Sequence, residues 1–465
     1  MTVQQKAFKS RRRYNQWVTN QTLEDFALRY TPVSARRWSA KRVVMTALSA
    51  ITFLALEAIG GALTLTYGFN YVVVAVILVS IIIFALSMPI AINAAKNGLD
   101  IDLLTRGAGF GYLGSTVTSL IYASFTFIFF ALEAAIMAMA LNMLFGLPLH
   151  FGYLIGSVVV IPLVTWGFTF ISRFQQFTQF CWLALQLLPF IFILIREHHV
   201  LQNWIDFPGF ITARDGSFDF LQLGAVCSVL LSLVSQVGEQ VDQVRFLPKP
   251  QHPARWRWYG AVIAAGPGWV VIGAIKILLG SFLAVLAFNY GLGAELASEP
   301  THMYLVAFSY VTHSSSTLLA LTGIFVVLSQ LKINVTNAYA GSIAWSNFFL
   351  RLTHRHPGRV VWLFFNVGIA LLLMELGVYR VFEDILGIYA VAATSWLGSV
   401  VADLTLNKWL KLRPAEIEFR RAYLYDINPV GIGSMTLAML CGLSAWMGWL
   451  GHPLQVFASM LSLCL

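Results

Sequence analysis

The chain has 465 residues, of which 58% are hydrophobic and only 11% charged, and its formal net charge is +9. A soluble domain is nearer a quarter charged. Apolar runs of about 20 residues recur throughout, the pattern of a helical membrane protein with many spans. The sequence has no Walker loop, dinucleotide fingerprint, HExxH or CxxC, which disfavours an ATP-driven pump and gives no reason to expect an enzyme, a cofactor or a metal. The basic excess lies in loops beside spans, so an anionic inner leaflet is its expected partner and no nucleic acid is needed to explain it.

In chain order, a basic tail at 1–42 leads to spans at roughly 43–67, 69–93, 112–143, 150–171, 176–195, 219–242, 259–289, 303–344, 360–378, 384–405, 429–448 and 452–465. The expected division is a ten-helix core at 43–405, a loop at 406–428, and helices 11 and 12 at 429–465. The last span is short for a bilayer, which fits a piece of a longer protein or an aberrant end. The four cysteines sit in or beside apolar runs and read as small buried residues.

Lysine and arginine fix the orientation. The tail and one set of alternate loops hold 25 of the 30 basic residues. The opposite loops hold Arg196, Arg214 and Arg380, while Lys276 and Lys332 fall within spans. This asymmetry places the N-terminus in the cytoplasm. Span 1, ITFLALEAIGGALTLTYG, carries Gly60 and Gly61 in its middle. Five spans later, VCSVLLSLVSQVGEQVDQ carries serines, a glutamine and Gly238. Two interrupted spans at that spacing are the trace of an inverted repeat. Gly266, Pro267 and Gly268 are expected to bend span 7.

Several stretches together resemble the nucleobase–cation symporter family of the purine and cytosine permease type. They are LRYTPVSARRWSA, NGLDIDLLTRGAGFGYLGS, GEQVDQVRFLPKP with its Asp-x-x-Arg, WLGSVVADLTLNKWL and YDINPVGIGS. The resemblance covers nearly the whole chain. It implies an all-α polytopic protein with the sodium-symporter fold, a five-plus-five inverted repeat with about 12 transmembrane helices, in which spans 1 and 6 break at the substrate. NQTLEDFALRYTP and YASFTFIFFALEAAIMAMAL are similar to the permease-like N-terminal module of bacterial hybrid sensor histidine kinases. That similarity implies a bacterial inner membrane and kinase domains beyond the C-terminus.

Candidate site residues follow. Phe129 and Glu133 are spaced i, i+4 and share a helical face. The family holds a Trp and a Gln at these places, facing substrate. Here stacking is kept and the amide becomes an acid, so the small-molecule substrate is expected to be cationic or a better donor than cytosine; the alternative is a carboxylate paired with a lysine inside the bundle. Glu57 precedes Gly60 and Gly61, where the helix is expected to unwind and expose backbone to ligand or cation, unless the glycines serve close packing. Ser232, Gln236 and Glu239 share one face. Gln236 is a candidate to meet substrate, whereas Glu239 and Asp242, nearer the cytoplasmic end, are expected to gate with Arg245 or a neighbouring basic loop.

In span 8, VVLSQLKINVTNAY, the family places a Ser-Thr pair on sodium and an Asn five residues later on substrate. The matching window is Leu331-Lys332, then Asn337. Lys332 shares a face with Ser329 and Thr336, and its ammonium argues against sodium coupling. It reads as a proton switch, a counter-ion to Glu57 or Glu133, or a lysine reaching for the interface. Lys276 is expected to pair with Glu375, and Asp403 to lie at the cytoplasmic edge. The expected function is secondary transport of a nucleobase-like or related nitrogenous compound, or ligand sensing by the same fold.

Overall fold

The computed structural model of the protein describes residues 30–197, 199–211, 218–250, 255–353, 357–377, 382–414 and 416–465. Most of the basic tail, with Arg214 and Arg380, lies outside the described residues.

Among the described residues, helices occupy each of the twelve predicted spans. Eight are long and apolar enough to cross a membrane, among the described residues. Among them are the unbroken α3 (Phe69–Asn97), α4 (Ser115–Phe145) and α6 (Gly167–Arg196). Two are interrupted: α7 (Phe220–Leu231) with α8 (Gln236–Val244), and α9 (Arg255–Ala265) with α10 (Trp269–Asn289). The others are α12 (Ser315–Thr353), α14 (Phe382–Ala402, running on to Asn407) and α15 (Pro429–Trp446).

The remaining passes are shorter. Span 1 is α1 (Ala40–Ser49) and α2 (Ala55–Tyr67), span 4 is α5 (Leu149–Thr165), and span 9 is α13 (Arg359–Glu375). Span 12 is α16 (His452–Val456) with α17 (Ala458–Cys464). The run read as one long span 8 is two elements, because α11 (Pro300–Ser309) stops before α12 begins. At about 1.5 Å per residue the 39 residues of α12 measure about 58 Å. That is well beyond a hydrocarbon core of about 30 Å.

Polarity is distributed inside out. Ile81 and Phe177 are 63% and 88% exposed on the perimeter, whereas Glu57, Glu133 and Lys332 are 0% exposed at the centre. A bilayer imposes this, because ionisable groups are costly in lipid and retreat into the bundle. The cysteines divide: Cys227 is buried, but Cys181 and Cys464 are exposed rather than buried as expected.

Among the described residues spans 1, 6, 7 and 12 are interrupted, and the interruptions of spans 1 and 6 lie five spans apart. The chain leaves helix between α1 and α2, over residues 50–54, and tightens to a 3-10 turn at Ser232–Ser235 between α7 and α8. The second break lies where the sequence placed it. The first lies several residues before Gly60 and Gly61, which are inside α2.

The glycines serve packing instead. A Cβ on Gly60 would stand 2.0 Å from the Ile277 carbonyl oxygen, and one on Gly280 would stand 2.2 Å from the Glu57 Cα. Helices α2 and α10 therefore interlock backbone to backbone, which small residues alone permit. Gly266, Pro267 and Gly268 separate α9 from α10, as expected.

Candidate functional site: two helix breaks and a buried polar centre

An unwound segment inside a bundle leaves backbone donors that need partners. At the first break those partners come from α4 and α12. The Leu54 amide donates to Gln330 Oε1 at 3.3 Å, and the Ala55 amide to Glu133 Oε1 at 3.4 Å. Thr52 Oγ1 donates to the Ser329 carbonyl at 2.9 Å. Gln330 is a participant that sequence reasoning missed. It sits beside Ser329 in the stretch singled out, but nothing in its spacing indicates that it caps another helix.

A line of aromatic rings joins the two breaks. Phe53, in the first break, meets Phe129 edge-on at 6.4 Å between centroids. Phe129 meets Phe125 at 4.5 Å, and Phe125 meets Tyr389 at 6.1 Å. The Tyr389 hydroxyl then donates to Ser235 Oγ, in the second break, at 2.7 Å. Phe129 is thus a central ring, as expected, and Phe53, Phe125 and Tyr389 extend the surface.

Around this line, Gln236 Nε2 donates to Glu239 Oε2 at 2.7 Å, and Asn337 Nδ2 to Asn334 Oδ1 at 3.4 Å. Glu133 Oε2, Glu239 Oε1, Asn337 Oδ1 and Thr336 Oγ1 are buried without a hydrogen-bond partner. Glu239 therefore takes its hydrogen bond from Gln236, its neighbour on the same helix. Ser232 is buried and returns its hydroxyl to the Val229 carbonyl at 2.7 Å.

The lysines are not where their expected partners are. Lys276 Nζ lies 2.5 Å from Glu57 Oε1, with both side chains buried. The glycine interlock of α2 with α10 explains the meeting, because it presses the turn carrying Glu57 onto Gly280, one turn from Lys276. Tyr304 on α11 also donates to Glu57 at 3.2 Å and accepts from Gln186 at 2.7 Å. Trp182 lies 5.5 Å from the ammonium and donates to Ser329 Oγ at 2.9 Å. Glu375, the expected partner of Lys276, instead meets His150 at the exposed end of α13.

Lys332 pairs with neither Glu57 nor Glu133. Its ammonium donates to the Gln175 carbonyl and to Thr178 Oγ1 on α6, each at 3.0 Å, and Gln175 Nε2 returns a bond to the Lys332 carbonyl at 2.7 Å. At 0% exposure it does not reach for an interface. The expected face of Ser329 and Lys332 exists, and it looks at α6.

Further along α8, Tyr122 donates to Asp242 Oδ2 at 2.8 Å, and Arg245 donates to the Tyr339 hydroxyl at 3.3 Å. Below them Asp102 meets Ser119 and Arg351, and Asn347 donates to Asp100 at 3.2 Å. Asp403 is held by Arg413 at 2.5 Å and by Asn407 at 3.0 Å, a structural tie near the end of its helix.

No family profile and no curated protein sequence matches the chain. Solved structures do. Mhp1, a nucleobase-cation-symport-1 family transporter, in a closed conformation with bromovinylhydantoin bound, is 16% identical. The match spans 94% of this chain and 93% of that one, with a TM-score of 0.69. Inward-facing Mhp1 gives 0.67. A sodium-coupled sialic acid symporter, in its substrate-bound outward-open state, gives 0.63 at 12% identity over 97% and 93% of the two chains. The manganese transporter of Eremococcus coleocola gives 0.56 at 12% identity over 91% and 92%. Agreement along almost the full length of each chain establishes an all-α polytopic membrane protein with the sodium-symporter fold.

Proposed function

We propose that this protein is a secondary transporter of the nucleobase–cation symporter type, moving a nucleobase-like or related small nitrogenous compound by alternating access and without sodium. One observation carries the reading. Two broken helices, five spans apart, face a fully buried centre that holds aromatic rings beside carboxylate and amide groups with unfilled hydrogen-bonding capacity. Flat heterocycles are bound by that combination of π surface and edge-directed polar groups. Broken helices give the two halves of such a fold a hinge around the bound ligand.

Lys332 supports the absence of sodium coupling. A fixed ammonium in the stretch that resembles a sodium site raises the electrostatic cost of a second cation beside it. The basic loops support a cytoplasmic N-terminus in a bacterial inner membrane, with anionic lipid as their partner. The candidate substrate residues are Glu57, Phe129, Glu133, Gln236 and Asn337, with Glu57 acting through Lys276 on the α2–α10 contact.

The test is uptake into proteoliposomes of radiolabelled adenine, cytosine and hydantoins, with sodium and with choline as the bulk cation. Saturable accumulation that is equal in the two salts supports the reading. Uptake that rises steeply and saturably with sodium overturns the coupling assignment. Binding without accumulation under any ion gradient favours a sensor input module, whose binding chemistry would be the same.

A further inference from the structure

Two of the unfilled groups at the centre are acidic side chains. Glu133 and Glu239 are each fully buried and each leaves one carboxylate oxygen without a hydrogen-bond partner. Among the described residues no lysine or arginine bonds to either; Lys276 is engaged with Glu57, and Lys332 with α6. Both acids flank the aromatic line: Glu133 lies one turn after Phe129 on α4, and Gln236, which bonds Glu239, follows Ser235, whose hydroxyl accepts from Tyr389. Each is steadied on its other oxygen by the first residue of the helix that follows a break: the Ala55 amide of α2 for Glu133, and Gln236 of α8 for Glu239. The free oxygens are thus held next to the two breaks. Amide oxygens and nitrogens exchange places on a flip, but a carboxylate offers acceptors alone. A buried carboxyl without a counter-ion keeps its proton, and a cationic N–H donor that reaches its unfilled oxygen takes the place of that proton, which is released, and forms a charge pair.

Resting on the transport reading, we propose that the cargo is a planar organic cation with several N–H donors, such as an amidinium, guanidinium or protonated amino-heterocycle, held against Phe129 with Glu133 and Glu239 on its edges. A flat ring fits the aromatic line from Phe53 to Tyr389. A forked N–H pair matches a carboxylate in two parallel charge-assisted bonds. A cation over an aromatic face gains further. The ammonium of Lys276 bonds to Glu57, and among the described residues it makes no hydrogen bond to Glu133 or Glu239.

The test uses three probes of one shape and three charges: benzamidine (a cation), benzamide (neutral) and benzoate (an anion). Each is measured by thermal shift and by equilibrium binding on the full chain in detergent micelles. Benzamidine is expected to raise the melting temperature at millimolar concentration, with benzamide and benzoate inactive. Glu133→Gln and Glu239→Gln keep side-chain size and remove one charge each. Both variants are expected to fold with stability equal to the parent or greater, and to weaken benzamidine by about tenfold or more, as the loss of one charge-assisted pair requires.

Benzamide binding as tightly as benzamidine, no shift by benzamidine, or unchanged benzamidine affinity in both variants overturns the assignment. The transport reading fails separately. If neutral adenine or cytosine accumulates in proteoliposomes while benzamidine does not bind, the charge of the cargo is wrong and the transport reading stands.

Discussion

Replacing Lys276 with methionine strips Glu57 of the one cation that bonds it among the described residues, while keeping most of the side-chain volume. The Nζ–Oε1 separation is 2.5 Å and the two side chains are 2% and 0% exposed. At an effective dielectric of about 20, that separation corresponds to an attraction of about 6–7 kcal/mol. Desolvation of both ions offsets part of it, and breaking a buried pair from one side costs about 3–5 kcal/mol. The Tyr304 hydroxyl remains on Glu57 at 3.2 Å and holds the loss toward the lower half of that range.

At about 2.1 cal/mol/K per residue, the unfolding entropy of a chain of this length is about 1 kcal/mol/K. The midpoint should therefore fall by at least about 3 °C, and by more where helices persist in the micelle and the entropy is smaller. The assay is thermal unfolding in detergent, followed by thiol-reactive dye or by loss of the monodisperse chromatographic peak. Glu57→Gln combined with Lys276→Met should recover most of the loss, because no charge is then left unpaired. A double variant no more stable than Lys276→Met would refute the pairing, and so would a Lys276→Met midpoint equal to the parent.

Lys332→Met should behave differently, since its partners on α6 are a carbonyl and a hydroxyl and no carboxylate is orphaned; stability within about 1 kcal/mol of the parent, or above it, is expected, and a fall as large as that of Lys276→Met would show a hidden carboxylate partner. Gly60→Leu must push α2 off α10, because even a Cβ would stand 2.0 Å from a backbone oxygen; a loss of about 3 kcal/mol or more is expected in the same unfolding assay, and a tolerated leucine would contradict the interlock. Outside the spanning helices, the hydrogen bond from His302 to Glu299 raises the His302 pKa above its ordinary 6.5. That contribution is fully present below about pH 6.5 and is lost as pH rises through the folded-state value. His302→Gln should thus lower the melting temperature slightly at pH 5.5 and leave it unchanged at pH 9, and an equal loss at both would refute the linkage.

Much of the fold is legible in the sequence because a bilayer makes hydropathy decisive. The spans, the bend at Gly266–Gly268 and the break at Ser232–Ser235 follow from length, proline, glycine and serine. The break at 50–54 does not. Its residues Ala50 to Leu54 carry no glycine or proline, and it is sustained by donors and acceptors on other helices, Gln330 and Glu133 above all. Gly60 and Gly61 draw attention away from it because a glycine pair signals a break and a close helix contact equally well. Ionisable residues inside spans are legible as a set, but periodicity assigns a face and not the neighbour across it. Glu57 meets Lys276 because two glycines let α2 and α10 touch, and Glu375 ends up with His150 at the rim. Lys332 shows the same limit: its face is readable, and the neutral partners on α6 are not.

Alternating access is the claim on which the rest depends, and two-sided accessibility of the centre tests it most directly. Ser232 is fully buried beside the second break. In a background with Cys181, Cys227, Cys441 and Cys464 replaced, Ser232→Cys can be exposed to membrane-impermeant thiol reagents in right-side-out and in inverted vesicles. The account expects labelling from both sides, slowed by a bound ligand in each orientation. Labelling from one side only, with the other remaining silent over hours, would describe a fixed receptor and contradict it.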